Sequence, residues 1–272
     1  MSDSFRYDGK RVLVVGGATG MGAAASKTAT ELGAEVVVMD VAPIDYPAAQ
    51  ALKVDLRDRA DVDAALDQVE GPIHAVFSCA GVADGTGGLM RINFISQRHI
   101  IDRLLEQGKF GPGAAVALIS SGAGMGWQGN LEQMLDFLSA SDWEAADAWI
   151  EAHPGTDNYL ISKQAVNVYV ANQSFALARQ GVRLNAVLPG PTDTPLARAN
   201  ADVWLSFGEP FRKEMGADPL TAKQIGDTLA FLCSEAASGI NGVTLTIDHG
   251  HTAASVTGSY DDALVRGLLG LG

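Results

Sequence analysis

The chain has 272 residues, 47% hydrophobic and 19% charged, with a formal net charge of −13. That is material for one large α/β domain with a full core, and the acidic balance speaks against nucleic acid and anionic membrane surfaces as partners. No apolar run approaches the ~18 residues of a transmembrane helix, the opening Met1-Ser2-Asp3-Ser4-Phe5-Arg6 is not a signal peptide, and two cysteines, Cys79 and Cys233, fit a reducing cytoplasm.

Arg11-Val12-Leu13-Val14-Val15 has the apolar run of a buried parallel strand. Gly16-Gly17-Ala18-Thr19-Gly20-Met21-Gly22 follows at once. Residues 23–32 read as a helix stopped by Gly33. Val36-Val37-Val38-Met39 is a second buried strand, closed by Asp40. A glycine-rich turn between strand and helix lets the backbone approach a pyrophosphate, with free N–H groups at the helix start. The acid about twenty residues on can accept from ribose hydroxyls and repels a 2′-phosphate, which favours NAD over NADP.

The alternation continues. Residues 51–54 form a short strand ending at Asp55-Leu56, and 59–69 an amphipathic helix. Ala75-Val76-Phe77-Ser78 is the fourth strand, followed by Cys79-Ala80-Gly81 and a flexible loop at 84–88. Residues 89–107 are helical, with Asn93 in the first half. Residues 114–119 make the fifth strand, ending at Ser120-Ser121. Residues 159–178 form a long helix on which Tyr159 and Lys163 are i, i+4 neighbours. An ammonium beside a phenol favours the phenolate, so such a tyrosine can exchange a proton near neutral pH. Residues 182–187 are the sixth strand, followed by Pro189-Gly190-Pro191-Thr192-Asp193-Thr194-Pro195. A helix at 221–232 and a seventh strand at 242–247 complete the pattern. Strand–helix alternation of this kind builds a Rossmann-type, doubly wound, mostly parallel sheet with helices on both faces, in a single domain over 1–272. Ligands bind at the carboxyl ends of such strands, where Gly16, Asp40, Asp55, Ser78, Ser121 and Pro189 all fall. The five histidines lack metal-site clustering; His249-Gly250-His251 reads as loop or substrate rim, and no metal is expected.

Gly16-x-x-x-Gly20-x-Gly22, Asp40, Asp55, Asn93, Ser121, Tyr159-x-x-x-Lys163 and Asn185-x-x-x-Pro189-Gly190, in this order, resemble the short-chain dehydrogenase/reductase family over nearly the whole chain. The resemblance implies Tyr159 as general acid/base and Lys163 as the group that depresses its pKa and binds the nicotinamide ribose. It implies Ser121 as hydrogen-bond partner of the reacting oxygen and Asn93 as holder of a relay water. It further implies an NAD site made by Gly16, Thr19, Gly20, Met21, Gly22, Asp40, Asp55, Leu56, Ala80, Gly81, Tyr159, Lys163, Pro189, Thr192 and Thr194. The implied activity is NAD-dependent interconversion of a secondary alcohol and a ketone, by a homodimer or homotetramer acting on a small molecule. The alternative on the same fold is a non-catalytic NAD(H)-binding regulator or redox sensor.

One departure is large. Ser121 and Tyr159 stand further apart than in most of that family, by about 25 residues. The extra segment, about 129–156, carries apolar residues at helical spacing in two runs, Leu131 to Leu138 and Trp143 to Ile150. It resembles the inserted helices of the bacterial 3α-hydroxysteroid dehydrogenase/carbonyl reductase subgroup. Residues 195–219, with Trp204, Phe207 and Phe211, read as a lid over a hydrophobic substrate such as a steroid or terpenoid. Met90, Met125, Trp127 and Trp204 are candidate pocket walls, with plain apolar packing as the equal alternative. The apolar tail at 252–272 is expected to pack on a neighbouring subunit.

Overall fold

The computed structural model describes residues 3–271. Its frame is a seven-stranded, wholly parallel sheet. The strands are β1 (Arg11–Val15), β2 (Glu35–Asp40), β3 (Gln50–Lys53), β4 (Ile73–Ser78), β5 (Phe110–Ile119), β6 (Arg183–Pro189) and, at one edge, Thr244–Ile247. Their spatial order is β3-β2-β1-β4-β5-β6 and then the edge strand, so the chain reverses direction across the sheet between β1 and β4.

Val12 to Val15 are wholly buried because the sheet is covered on both faces. One layer packs α1 (Gly20–Glu31) and the helix Ala222–Cys233 against Val12, Val14, Phe77 and Val187. The other packs α2 (Arg59–Asp67), α3 (Ser96–Glu106) and the long helix Tyr159–Ala178 against Leu13, Val37, Val76 and Val116. Two helices between β5 and that long helix, α4 (Leu131–Leu138) and α5 (Trp143–Ala152), thicken the second layer. Met134, Phe137 and Trp143 are buried there, with Phe94 5.5 Å from Phe137 between ring centres. The long helix is α6. Residues 161–170 of α6 are buried without interruption, because α4 covers the flank that the sheet leaves open.

After β6, a two-residue strand, β7 (Thr192–Asp193), leads into α7 (Pro195–Ala199), α8 (Ala201–Trp204) and α9 (Glu209–Met215). The chain then returns through β8 (Leu220–Thr221), paired with β7, to α10, the helix Ala222–Cys233. Thr221 caps α10 in a reciprocal capping box with Gln224. The edge strand is β9, followed by α11 (His251–Thr257) and α12 (Ala263–Leu268). Val265 of α12 is fully buried, and the Leu268 carbonyl lies against Gly126, so this tail packs in part on its own chain. No helix among the described residues is long and apolar enough to cross a membrane.

Candidate active site

The turn after β1 is shaped by what its glycines leave room for. Gly16 has φ +78°, and a Cβ there would stand 2.4 Å from the Ala80 Cα. A Cβ on Gly22 would stand 2.0 Å from the Gly16 carbonyl oxygen. The turn is thus pressed between the β4 end and the start of α1, and neither position accepts a side chain. Thr19 is the N-cap of α1 but its side chain makes no capping bond, so the first-turn N–H groups stay available to an acceptor from outside. Met21 packs partly into the core behind the turn, and Gly20 faces Thr194 across the cleft.

Asp40 ends β2 with its carboxylate turned to this loop. It accepts from the Ala18 N–H at 2.8 Å and the Ala42 N–H at 2.9 Å. A carboxylate has about four acceptor positions, so two remain for a ligand. Asp55 sits beyond β3, but Arg57 holds its carboxylate at 2.6 Å and keeps it below the usual carboxylate range. Leu56 is buried in the core rather than open to the cleft. Ala80 and Gly81 turn the chain after β4. That turn is clamped by Gln97, whose amide donates to the Ala80 carbonyl at 2.9 Å and accepts from the Ser78 hydroxyl at 2.8 Å.

Asn93 lies in a π-helical turn, Arg91–Ile95, which interrupts the helix that begins at 89 and continues as α3. Its side chain is fully buried and spans the Val82 backbone, accepting from the N–H at 2.8 Å and donating to the carbonyl at 3.0 Å. It also donates to the Ser162 hydroxyl at 3.2 Å. The carboxamide thus ties the β4 turn to α6 with both its donors used and one acceptor position on Oδ1 left over.

Ser121, Tyr159 and Lys163 meet beside that turn. Ser121 follows the end of β5 in extended backbone. Tyr159 begins α6, where Asp84 accepts from its N–H at 2.7 Å and the N-cap Asn158 accepts from the Ile161 N–H. Lys163, one turn on, is buried and points past the phenol. Its Nζ donates to the Ile119 carbonyl at 2.9 Å and stands 5.4 Å from the Tyr159 ring centre. A Cβ on Gly81 would lie 3.7 Å from this Nζ and 3.8 Å from Asn93 Oδ1, so all three sites share one small volume.

The electrostatics correct the sequence expectation for Tyr159. Its phenol lies above its ordinary pKa, because burial outweighs a lowering hydrogen bond with Ser121, and Asp84 adds to the rise. The lysine donates a hydrogen bond to the Ile119 carbonyl and stands beside the phenol without bonding it. Burial also pulls Lys163 down to about 8. Cys79 is pushed up by burial and stays a neutral thiol. The far wall comes from β6 and the segment after it. Pro189 ends β6, Thr192 is buried and donates to the Gly190 carbonyl at 2.9 Å, and Thr194 caps α7 through the Ala197 N–H.

Two expectations take a definite form. Met90 is core, only 2% exposed, since its side chain falls on the sheet face of its helix. The loop at 84–88 is a pair of turns, one of which supplies Asp84 to the start of α6. Trp204 does meet the site: its ring centre is 4.9 Å from that of Tyr159, with 34° between the planes. Gln97 and Asp84 escape sequence reading, since their partners lie at distant sequence positions and no local pattern marks them.

The family follows from comparison with known proteins. Residues 10–131 match the model described as short chain dehydrogenase, and 145–252 that described as enoyl-(acyl carrier protein) reductase. The 3-alpha-hydroxysteroid dehydrogenase/carbonyl reductase of Comamonas testosteroni is 30% identical over 251 residues, covering 88% of this chain and 95% of its own. This chain belongs to the short-chain dehydrogenase/reductase family. It is likewise 30% identical to the cis-4-hydroxycyclohexanecarboxylate dehydrogenase of Sinomonas cyclohexanicum, over 90% of this chain and 97% of that one. In fold it is similar to the crystal structure of a Pseudomonas 3-alpha-hydroxysteroid dehydrogenase complexed with NADH. That match has a TM-score of 0.73 and 24% identity, over 93% of this chain and 100% of that one. Oxidoreductases of this family use a nicotinamide cofactor. The residues here fit one: an uncapped helix start, a turn with no room for side chains and a carboxylate with free acceptor positions line a single sheet edge.

Proposed function

We propose that this chain is an NAD(H)-dependent oxidoreductase that interconverts a secondary alcohol and its ketone, on a hydrophobic substrate of the steroid or terpenoid kind. The observation that carries the reading is the meeting of Ser121, Tyr159 and Lys163 beside the Gly81 turn, at the end of β5. The relatives named for hydroxysteroid and hydroxycyclohexanecarboxylate substrates support an alcohol–ketone pair.

The glycine turn with Thr19 and Met21, then Asp40, Asp55, Ala80, Gly81, Pro189, Thr192 and Thr194, would hold the dinucleotide, with Leu56 behind them in the core. Asp40 favours NAD, because its carboxylate meets a 2′-phosphate with like charge and no Lys or Arg pairs with it among the described residues. A bound nicotinamide supplies the hydride acceptor for oxidation and the donor for reduction. In the reduction direction the neutral phenol of Tyr159, the form its raised pKa favours, gives its proton to the reacting oxygen as the carbon receives hydrogen with its electron pair; oxidation is the reverse and uses Tyr159 as phenolate, its own proton having first passed to solvent. Ser121 hydrogen-bonds the reacting oxygen as its charge develops. Lys163 holds a positive charge at the inner side of the phenol. Asn93 keeps the β4 turn in register with α6 through Val82 and Ser162.

The test is the NADH absorbance band with a panel of secondary alcohols, steroids included. Wild-type protein is expected to turn over with a higher kcat/KM for NAD than for NADP. Tyr159→Phe is expected to lose about 10²–10⁴-fold in kcat/KM with the affinity for NADH unchanged. Full turnover by that variant would sink the assignment of Tyr159.

A further inference from the structure

Resting on the alcohol–ketone reading, we infer that Trp204 is the specificity-determining wall of the site and that it selects alcohols whose hydroxyl sits on a ring. The indole lies 4.9 Å from the Tyr159 phenol at a 34° tilt, and both rings are half-buried. A substrate that brings its hydroxyl to Tyr159 must therefore pass its body along the indole face.

The indole is not a loose flap. The backbone N–H of Trp204 donates to the Asn200 carbonyl at 2.9 Å, which holds the residue that carries the indole. The carbonyl of the next residue, Leu205, accepts from the guanidinium of Arg212, which also donates to the Phe207 carbonyl at 2.6 Å. Arg212 is 6% exposed and spends these donors on backbone. Its neighbour Phe211 stacks on His251, with ring centres 4.6 Å apart and planes at 22°. His251 is buried and sits 2.9 Å from Asp262, the N-cap of α12. A continuous run of contacts thus fixes the α8–α9 turn, and with it Trp204, to the C-terminal helices.

A fixed flat wall favours a substrate with a fixed flat face. A ring brings its contact area with few rotors to order, whereas an open chain must lose rotamer freedom to lie against the same surface. The ring alcohol is gained over its open-chain counterpart at the transition state, so the effect belongs in kcat/KM.

The experiment compares cyclohexanol with 2-hexanol as substrates, with NAD, for wild type, Trp204→Ala and Trp204→Phe. Wild type is expected to prefer cyclohexanol. Trp204→Ala is expected to lower kcat/KM for cyclohexanol by about tenfold and to leave 2-hexanol within about twofold. Trp204→Phe keeps a flat wall and is expected to retain most of the preference. Equal losses on both alcohols in Trp204→Ala, or no loss on either, overturn the selection while leaving the alcohol–ketone reading intact. Wild-type silence toward both alcohols and the steroid panel, with NADH still bound, overturns that reading and this proposal with it. NADH affinity and thermal midpoint of each variant, unchanged from wild type, separate the effect from misfolding.

Discussion

A buried lysine with no carboxylate beside it carries a cost that pH can expose. Lys163 has its folded pKa at about 8 against an ordinary 10.5, chiefly from burial. Below pH 8 both folded and unfolded chains hold the proton, and the folded one holds it at a disadvantage. Between pH 8 and 10.5 the folded state releases the proton while the unfolded state keeps it, so this group adds stability as pH rises. Cys79, whose folded pKa is raised, acts in the opposite sense above its ordinary value. The difference between wild type and Lys163→Met isolates the lysine. Urea unfolding is expected to find the variant more stable near neutral pH, with that advantage shrinking from pH 8 to 10. A constant difference across that range would refute the burial of a charge there. At this scale the sequence was legible wherever a residue acts at fixed spacing. The Tyr159–Lys163 turn, the glycine run and Asp40 all lie where the pattern put them. It was not legible for Asp84, Gln97 or Arg212. Each of these works on backbone that the fold brings near, and no local pattern records such a partner. The direction of the Tyr159 shift was missed for the same reason: burial is a property of the folded surroundings, and the spacing shows only the lysine.

The elements divide by length. Those with long apolar runs or strong caps were read almost to the residue; α6 spans Tyr159–Ala178 because Asn158 caps its start and apolar residues repeat through its body. The two runs in 129–156 form α4 and α5 at the expected places, since amphipathic spacing is local information. The π-helical turn around Asn93 was invisible, because its extra residue is set by what the Asn93 side chain grips. The helices α7, α8 and α9 were also unread as separate units. Seven residues or fewer hold a helix only through tertiary support, here Arg212 and the His251 stack. The turn between β1 and α1 supplies the prediction at this scale. Gly16→Ala puts a methyl group against Ala80 and forces a non-glycine residue to φ +78°. The backbone strain alone is about 1–3 kcal/mol, and the Ala80 contact adds to it because β4 and β1 are hydrogen-bonded neighbours that cannot separate locally. Chemical denaturation is expected to show a lower midpoint with unchanged slope. A midpoint equal to wild type would mean the turn has slack that the geometry denies.

For the whole molecule the unsettled surface is the edge of the sheet. On one side β3 ends the sheet, and on the other β9 pairs only with β6, leaving a row of backbone groups open. Open edges are usually covered or charged, since they otherwise template further pairing. Here Val243 and Leu245 are 37% and 38% exposed along that edge, and Leu264 on α12 is 61% exposed nearby in the chain. By contrast, α4 and α5 already occupy the flank of α3 and α6 within the same chain, burying Phe137 and Trp143. That face still exposes Leu131 and Leu135 on α4 and Phe175 on α6, but the β9 end adds an open strand edge to its apolar residues, so association is expected there. The net charge of −13 opposes self-association at low salt and is screened over about 8–10 Å near physiological ionic strength. Sedimentation at micromolar concentration and physiological salt is expected to give a homodimer or homotetramer. Leu245→Lys with Leu264→Glu is expected to shift it to a smaller species without loss of NADH binding, because neither residue approaches the glycine turn or Tyr159. A wild-type monomer under these conditions removes the tail and the edge as an interface. An unchanged assembly in the double variant moves the interface to another face while leaving the dinucleotide site untouched.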